Sequence, residues 1–260
     1  MKKILSNAYL ALILIFLYIP IVTMMALSFN STKSRSRWTG FSLRWYQEVL
    51  ESETIRSALW NTLVIALLSA VIATLIGTIA AIAIDSMNAA AKTVLMSLAN
   101  IPMLNADIVT GISLMLCFIF FGVSLGFGTI LISHITFNIP YVILSVMPKL
   151  KQTSRTAYEA AQDLGADPFY AFRKVVLPDI MPGVVSGFLL AFTMSLDDFI
   201  ITHFTKGAGI NTLSTLIYAE VRLGVRPSMY ALSTIIFLVV LVLLIISNYA
   251  PGAAKKQEGK

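Results

Sequence analysis

Residues 156–178 read TAYEAAQDLGADPFYAFRKVVLP, a polar stretch between two long apolar segments. Thr156 and Glu159, three residues apart, form a capping-box pattern that predicts the start of a short helix. Gly165 can end that helix in a left-handed conformation, and the Asp-Pro pair at 167–168 is typical of the start of a second helix. The stretch therefore predicts two short helices joined by a corner.

The first of these predicted helices has two distinct faces. Small apolar side chains recur on one face at spacings of three and four, at Ala157, Ala160, Ala161 and Leu164. Glu159 and Asp163 are four residues apart and share another face. A compact apolar surface with carboxylates around it suits a groove on another protein.

On both sides of this stretch, uncharged runs long enough to cross a bilayer occur along almost the whole chain. Of the 260 residues 57% are hydrophobic and 12% are charged, which excludes an ordinary water-soluble fold. The runs predict an all-α polytopic membrane protein with six spans, at about 7–29, 57–84, 93–121, 129–147, 180–205 and 227–249. We expect one transmembrane domain over residues 1–250 and a disordered tail over residues 251–260.

The basic residues between the runs indicate the orientation. Six spans place both ends on one side of the membrane, and the segments on that side carry eleven of the 19 basic residues, namely Lys2, Lys3, Lys92, Lys149, Lys151, Arg155, Arg173, Lys174, Lys255, Lys256 and Lys260. Because cytoplasmic loops are enriched in Lys and Arg, we expect both termini and the loop at 154–178 to lie in the cytoplasm.

The loop resembles a known signature. Glu159-Ala160-Ala161, then Gly165, then Val175, Leu177 and Pro178 are similar, at matching spacing, to the EAA motif of bacterial importer permeases, in which Ile usually stands where this chain has Val175. The resemblance implies a type I ABC importer permease fold in which the loop is the coupling helix that docks on an ATPase subunit. The residues that it assigns to this contact are Glu159, Ala160, Ala161, Asp163, Leu164 and Gly165.

Three carboxylates lie inside predicted spans, where insertion of a charge is costly: Asp107, Asp197 and Asp198. We expect them to face the bundle interior and to receive a cation. Successive helical residues diverge by about 100°, so one of the adjacent pair should line the path while the other caps or pairs elsewhere. Tyr218 and Glu220, predicted to lie in the outer loop before the sixth span, are candidates to add an aromatic face and a further carboxylate.

Further stretches resemble the polyamine branch of these permeases, the subunits of spermidine/putrescine importers. They are Asp107-Ile108-Val109, Ser133 to Phe137 and Ser195 to Asp198. This likeness implies a bacterial inner-membrane permease that forms a heterodimer with a second permease and works with two ATPase subunits and a periplasmic polyamine-binding protein. The chain has no G-x-x-x-x-G-K-[ST] segment, so ATP and Mg are expected to bind the partner ATPase subunits.

Other functions remain open at this point. The chain could belong to an importer for another solute, or to an ion-driven secondary transporter in which Asp107 and Asp197 carry protons. The sequence offers no catalytic constellation, no metal-ligand spacing and no nucleic-acid face, which argues against an intramembrane enzyme. His134 and His203 stand near span ends without an identified partner, so we expect them to contact solvent or lipid headgroups.

Overall fold

The computed structural model describes residues 2–33, 37–153 and 155–249. The predicted tail at 251–260 and the predicted capping side chain of Thr156 lie outside this description. The helices are α1 (Lys2–Ser28), α2 (Arg44–Glu51), α3 (Glu53–Ser86), α4 (Ala89–Leu104), α5 (Asp107–Phe120), α6 (Phe127–Gln152), α7 (Arg155–Asp163), α8 (Pro168–Ala171), α9 (Leu177–Asp197), α10 (Ile200–Thr205), α11 (Leu213–Leu223) and α12 (Pro227–Tyr249). The prediction of an all-α chain is confirmed.

Within the described residues, four stretches of helix are long and apolar enough to cross a membrane: Tyr9–Ser28, Glu53–Ser86, Phe127–Gln152 and Pro168–Asp197. The pair α4 and α5 counts as a fifth if it is one broken span. The described apolar part of α12, Pro227–Leu238, is shorter. The predicted count of six spans is consistent with this arrangement and stays a prediction.

The third predicted span is sharply broken. Its two halves, α4 and α5, meet at an angle of 102°. Pro102 lies within α4, and the break falls after it, at Asn105 and Ala106, whose backbones are extended. The break therefore does not fall at the proline itself, and α4 continues for two residues beyond it. The break makes Asp107 the first residue of a new helix.

The fifth predicted span differs at both ends. The second loop helix is not separate from it, because α8, a π-helical turn at Phe172–Val176 and α9 form one helix over Pro168–Asp197. Pro178 lacks an N–H and its ring would crowd the carbonyl four residues earlier, and the wider π turn directly before it relieves that conflict. At the other end the helix stops at Asp197, and residues 200–205 form α10.

The described helices group into two units, so the prediction of a single transmembrane domain stays a prediction. The first unit comprises Met1–Arg56 and Ile217–Lys260, and in it α12 packs against α1 and α2. Trp45 of α2 is buried, and its Nε1 donates a hydrogen bond to the carbonyl of Asn30 at 2.6 Å. This bond ties α2 to the chain that follows α1.

The second unit, Ser57–Leu216, has a core built by α3, α6 and α9. Its buried members are Ala70, Ala81, Ile84, Val142, Ile143, Val146, Met147, Leu150, Ile180 and Ala191. Close approach of α9 to α6 requires glycine: a Cβ on Gly183 would lie 2.9 Å from the carbonyl oxygen of Ser145. Helices that approach this closely through small residues are typical of membrane bundles, where dispersion contacts replace the hydrophobic drive.

Asn138 is a conspicuous polar residue on α6. Its side chain is fully buried, and neither its Oδ1 nor its Nδ2 has a hydrogen-bond partner among the described residues. We expect Asn138→Leu to raise the apparent unfolding temperature of the detergent-solubilised protein by about 2–4 °C, because an unpaired buried amide costs roughly 1 kcal/mol or more. Scanning fluorimetry would measure the change. Asn100→Leu is the control, since Asn100 Nδ2 donates to the Met96 carbonyl; an unchanged or lower value for Asn138→Leu would contradict the prediction.

Candidate functional site

The helix break after Asp197 is held by the next residue. Asp198 has an extended backbone, with ψ of 125°, and its carboxylate accepts hydrogen bonds from Ile201 N at 3.2 Å and Thr202 N at 2.8 Å. The hydroxyl of Thr202 donates to the same carboxylate at 2.8 Å. Asp198 thus satisfies the first free N–H groups of α10, which would otherwise be unpaired at the start of a helix.

His134 of α6 lies beside this cap and forms a buried cluster with Ser195, Thr202 and Asp198. The residue is 1% exposed; its Nδ1 lies 2.5 Å from Ser195 Oγ and its Nε2 lies 2.8 Å from Thr202 Oγ1. Nε2 is also 3.4 Å from Asp198 Oδ2. The expectation of a solvent or headgroup contact is therefore wrong for His134. A signal was available in the sequence, because spacings of four and three place His134 on one helical face with Ile130 and Phe137, both buried.

The three acids predicted from the spans lie around one cavity of about 370 Å³. Asp107 reaches it from the start of α5, and Asp197 and Asp198 reach it from the end of α9. The remaining walls are mostly aromatic and aliphatic, formed by Phe137, Tyr141, Thr193, Met194, Phe199, Ile200 and Ile201. The cavity can therefore attract a cation and also cover apolar parts of it.

The two adjacent acids differ in their surroundings. Asp197 is exposed, whereas the Asp198 side chain is 8% exposed and already accepts three hydrogen bonds. Asp198 is therefore the member of the pair that caps, while a role of Asp197 in lining the path stays a prediction. Asp107 is also exposed, so Asp107 and Asp197 are the carboxylates that are free to meet a solute in the cavity.

Tyr218 and Glu220 are arranged differently from the prediction. Both belong to helix α11 and not to a loop, and neither is among the described residues that line the acidic cavity. The Glu220 side chain is 14% exposed, and its Oε2 lies 3.1 Å from Arg226 Nε. This Oε2 is buried and has no hydrogen-bond partner among the described residues, so the arginine contact is an ion pair without a hydrogen bond, and the roles of Tyr218 and Glu220 in the passage stay predictions.

Two predicted features of the loop with the EAA pattern are present: the helix end at Gly165 and the helix start at Asp167. Gly165 has a φ of 88°, and the hydrogen bonds from Ala166 N to Ala161 O and from Gly165 N to Gln162 O complete a Schellman ending for α7. Asp167 accepts a hydrogen bond from Phe169 N at the start of α8. These local bonds fix the corner between the two helices.

The outer surface of this loop is apolar and acidic. Leu164 is 89% exposed and Phe169 is 70% exposed, and Glu159, Ala160 and Asp163 are exposed on α7. Exposed apolar side chains grouped in this way, with charges beside them, are typical of a protein contact. The loop surface, meaning Glu159 to Gly165 with Phe169, therefore has the composition expected of a docking site.

A second cavity of about 440 Å³ lies behind the loop surface. Tyr158 and Glu159 line it from α7, Phe172 and Val176 line it from the π turn, and the ends of α3 and α6 complete it. Asp85, at the end of α3, accepts a hydrogen bond from Lys92 and lines the same cavity. Glu159 thus stands at the edge between this cavity and the loop surface.

Curated relatives match this chain in sequence over nearly their whole length. The chain is 37% identical to the spermidine/putrescine transport system permease protein PotC of Shigella flexneri over 257 residues, covering 99% of this chain and 97% of the relative. It is 38% identical to the putrescine transport system permease protein PotI of Escherichia coli strain K12, covering 93% of this chain and 89% of the relative.

Solved structures support the fold. A crystal structure of a bacterial ABC transporter involved in alginate import matches with a TM-score of 0.68 at 17% identity, covering 94% of this chain and 92% of that one. The MetNI methionine ABC transporter, in an inward-facing conformation, matches with a TM-score of 0.58 at 20% identity, covering 75% of this chain and 94% of that one. The predicted importer-permease fold is confirmed.

A family model for the inner membrane component of binding-protein-dependent transport systems matches residues 73–250, which include the acidic cavity and the loop surface. The match covers more than half of the chain. This protein therefore belongs to the family of inner membrane permease components of binding-protein-dependent transport systems.

Proposed function

We propose that this chain is the permease subunit of an ATP-driven importer for polyamines and forms half of the passage through the membrane. The observation that carries the proposal is the convergence of Asp107, Asp197 and Asp198 on one cavity with aromatic and aliphatic walls. The names of the relatives, which are permeases of spermidine and putrescine transport systems, support the same cargo.

A polyamine suits this cavity chemically. At neutral pH it carries two or three ammonium groups separated by methylene chains, so it needs spaced carboxylates and apolar surface between them. Asp107 and Asp197 are the exposed carboxylates, while Phe137, Tyr141 and Phe199 offer aromatic surface. Exposed carboxylates hold such a cation weakly, which a passage requires because the solute must leave again.

In this proposal an ATPase subunit docks on the loop surface and drives transport from there. The chain has no phosphate-binding G-x-x-x-x-G-K-[ST] segment, so a partner ATPase subunit binds ATP and Mg and hydrolyses the nucleotide. The complex would contain two such subunits, a second permease and a periplasmic binding protein that supplies high affinity. Both termini and the loop surface would face the cytoplasm.

Uptake of labelled polyamine by proteoliposomes tests the proposal. The complete complex is reconstituted with the binding protein outside and ATP on the side of the ATPase subunits, and uptake of spermidine and putrescine is compared with that of sulfate and maltose. We expect polyamine uptake that requires ATP and that an uncoupler leaves unchanged. Uptake driven by a proton gradient without ATP would instead identify a secondary transporter, and preference for an unrelated solute would reject the polyamine assignment.

A further inference from the structure

The buried cluster around His134 allows its hydrogen-bond directions to be assigned. Thr202 has one hydroxyl proton, and it donates that proton to Asp198 Oδ2. In the contact at 2.8 Å with His134 Nε2, Thr202 Oγ1 must therefore be the acceptor, so Nε2 carries a hydrogen. That N–H also faces Asp198 Oδ2 at 3.4 Å.

The other ring nitrogen continues the chain of bonds into the bundle. Nδ1 lies 2.5 Å from Ser195 Oγ, and Ser195 Oγ lies 3.0 Å from Ser69 Oγ. In neutral histidine Nδ1 accepts a hydrogen bond from Ser195, whose hydroxyl also contacts Ser69, and Ser69 itself donates to the Ala66 carbonyl at 3.2 Å. All of these side chains are buried, so the bonds connect α3, α9, α6 and α10 without competition from water.

The cluster fixes the break that presents Asp197 to the cavity. Asp198 is held on one side by Thr202 and His134, and its own carbonyl accepts a hydrogen bond from Ser214 Oγ at 2.7 Å. Its neighbour Asp197 is the last residue of α9, so the direction of the Asp197 side chain depends on where this break occurs. A loosened Asp198 would let the helix end move and carry Asp197 with it.

We propose that His134 is a positioning residue of the passage: through its Nε2–H it holds Thr202 and Asp198 in place, and so keeps Asp197 directed into the cavity. His134 does not contact the solute. The proposal rests on the proposed function for its effect on uptake, while its effect on the α10 backbone is independent of any cargo.

Three substitutions of His134 separate its two nitrogens. Glutamine can place an amide N–H near the position of Nε2, asparagine can reach only the position of Nδ1, and alanine reaches neither. We expect polyamine uptake by the reconstituted complex to fall about tenfold or more in His134→Ala and His134→Asn and to be largely restored in His134→Gln, since a hydrogen bond in a charged cluster is lost in the first two only.

Hydrogen exchange provides the second readout. The amides of Ile201 and Thr202 donate to Asp198, so the peptide that covers α10 should exchange faster in His134→Ala and His134→Asn than in the wild type or in His134→Gln. Thr202→Val removes the acceptor of Nε2–H and also the hydroxyl that donates to Asp198 Oδ2. It should accelerate the same exchange at least as much as His134→Ala, and the double variant should be no faster than Thr202→Val alone.

Each alternative outcome has a distinct meaning. Rescue by asparagine and not by glutamine would overturn the proposal, because the Ser195 contact would then be the important one. Slow uptake in all three His134 variants, with unchanged hydrogen exchange in α10, would also overturn the proposal. His134 would then contribute through packing and not through its hydrogen bonds. If the wild-type complex imports no polyamine, the proposed function fails, whereas the exchange experiment still decides the role of His134.

Discussion

Replacing Asp107 and Asp197 together with asparagine is expected to lower the kcat/KM of polyamine uptake by about thirtyfold or more. Both carboxylates are exposed in one cavity, and a charge pair about 4 Å apart is worth roughly 1 kcal/mol in bulk water and about 4 kcal/mol near a protein surface. Each single variant should show a smaller loss. Uptake into proteoliposomes over a range of polyamine concentrations measures the effect, and binding of the ATPase subunits should be unchanged.

Asp179→Asn is the matched control, because Asp179 is an exposed carboxylate in the first turn of α9, at the other end of that helix from Asp197. It should transport like the wild type. Asp198→Asn provides a further contrast. Its amide oxygen can still accept a hydrogen bond from Ile201 N or Thr202 N. The loss of uptake in this variant should therefore depend on how well the α10 backbone keeps its position. Normal uptake by the Asp107 and Asp197 double variant would remove the carboxylates from the passage.

Glu159→Lys is expected to abolish ATP-driven uptake while the protein still inserts and pairs with its partner permease. Glu159 is exposed on α7 beside the apolar side chains of the loop surface, so a lysine there places the wrong charge in a docking contact. A charge at the rim of a protein contact changes the rate at which the two proteins associate. A reversed charge inside the contact also repels any like charge on the partner. Copurification of the ATPase subunits with the permease pair, together with uptake, measures the loss.

Two variants complete this experiment. Glu159→Gln keeps the shape of the side chain and removes only the charge, so it should be less severe than the lysine variant. Glu51→Lys makes the same charge reversal on an exposed residue of α2, for which the span pattern predicts the opposite side of the membrane, and it should have little effect. Wild-type uptake by Glu159→Lys would falsify the assigned coupling role.

Features that depend on local sequence could be predicted. Long uncharged runs predicted the main helices, and the residues that end α7 and begin α8 formed the expected Schellman and cap hydrogen bonds at Gly165 and Asp167. These structures need only near neighbours in the chain, so a short stretch of sequence contains the necessary information. The three acids of the predicted spans could also be singled out from sequence. A charged side chain in an apolar run is costly to insert into a membrane, so its presence indicates a function.

Features that depend on distant residues could not be predicted. The partners of His134 lie 61 and 68 positions away, at Ser195 and Thr202, and nothing near His134 in the sequence identifies them. The Asp198 carboxylate accepts its hydrogen bonds from Ile201 and Thr202, three and four residues away, and only its contact with His134 joins distant parts of the chain.

The continuous helix over Pro168–Asp197 acts as a lever between the two regions. Thirty residues of helix span about 45 Å, so a tilt of about 5° at one end displaces the other by about 4 Å. One end carries the exposed aromatic ring of Phe169, and the other carries Asp197. A small tilt at the end that carries Phe169 is therefore amplified geometrically into a shift of Asp197 comparable to the width of an ammonium group.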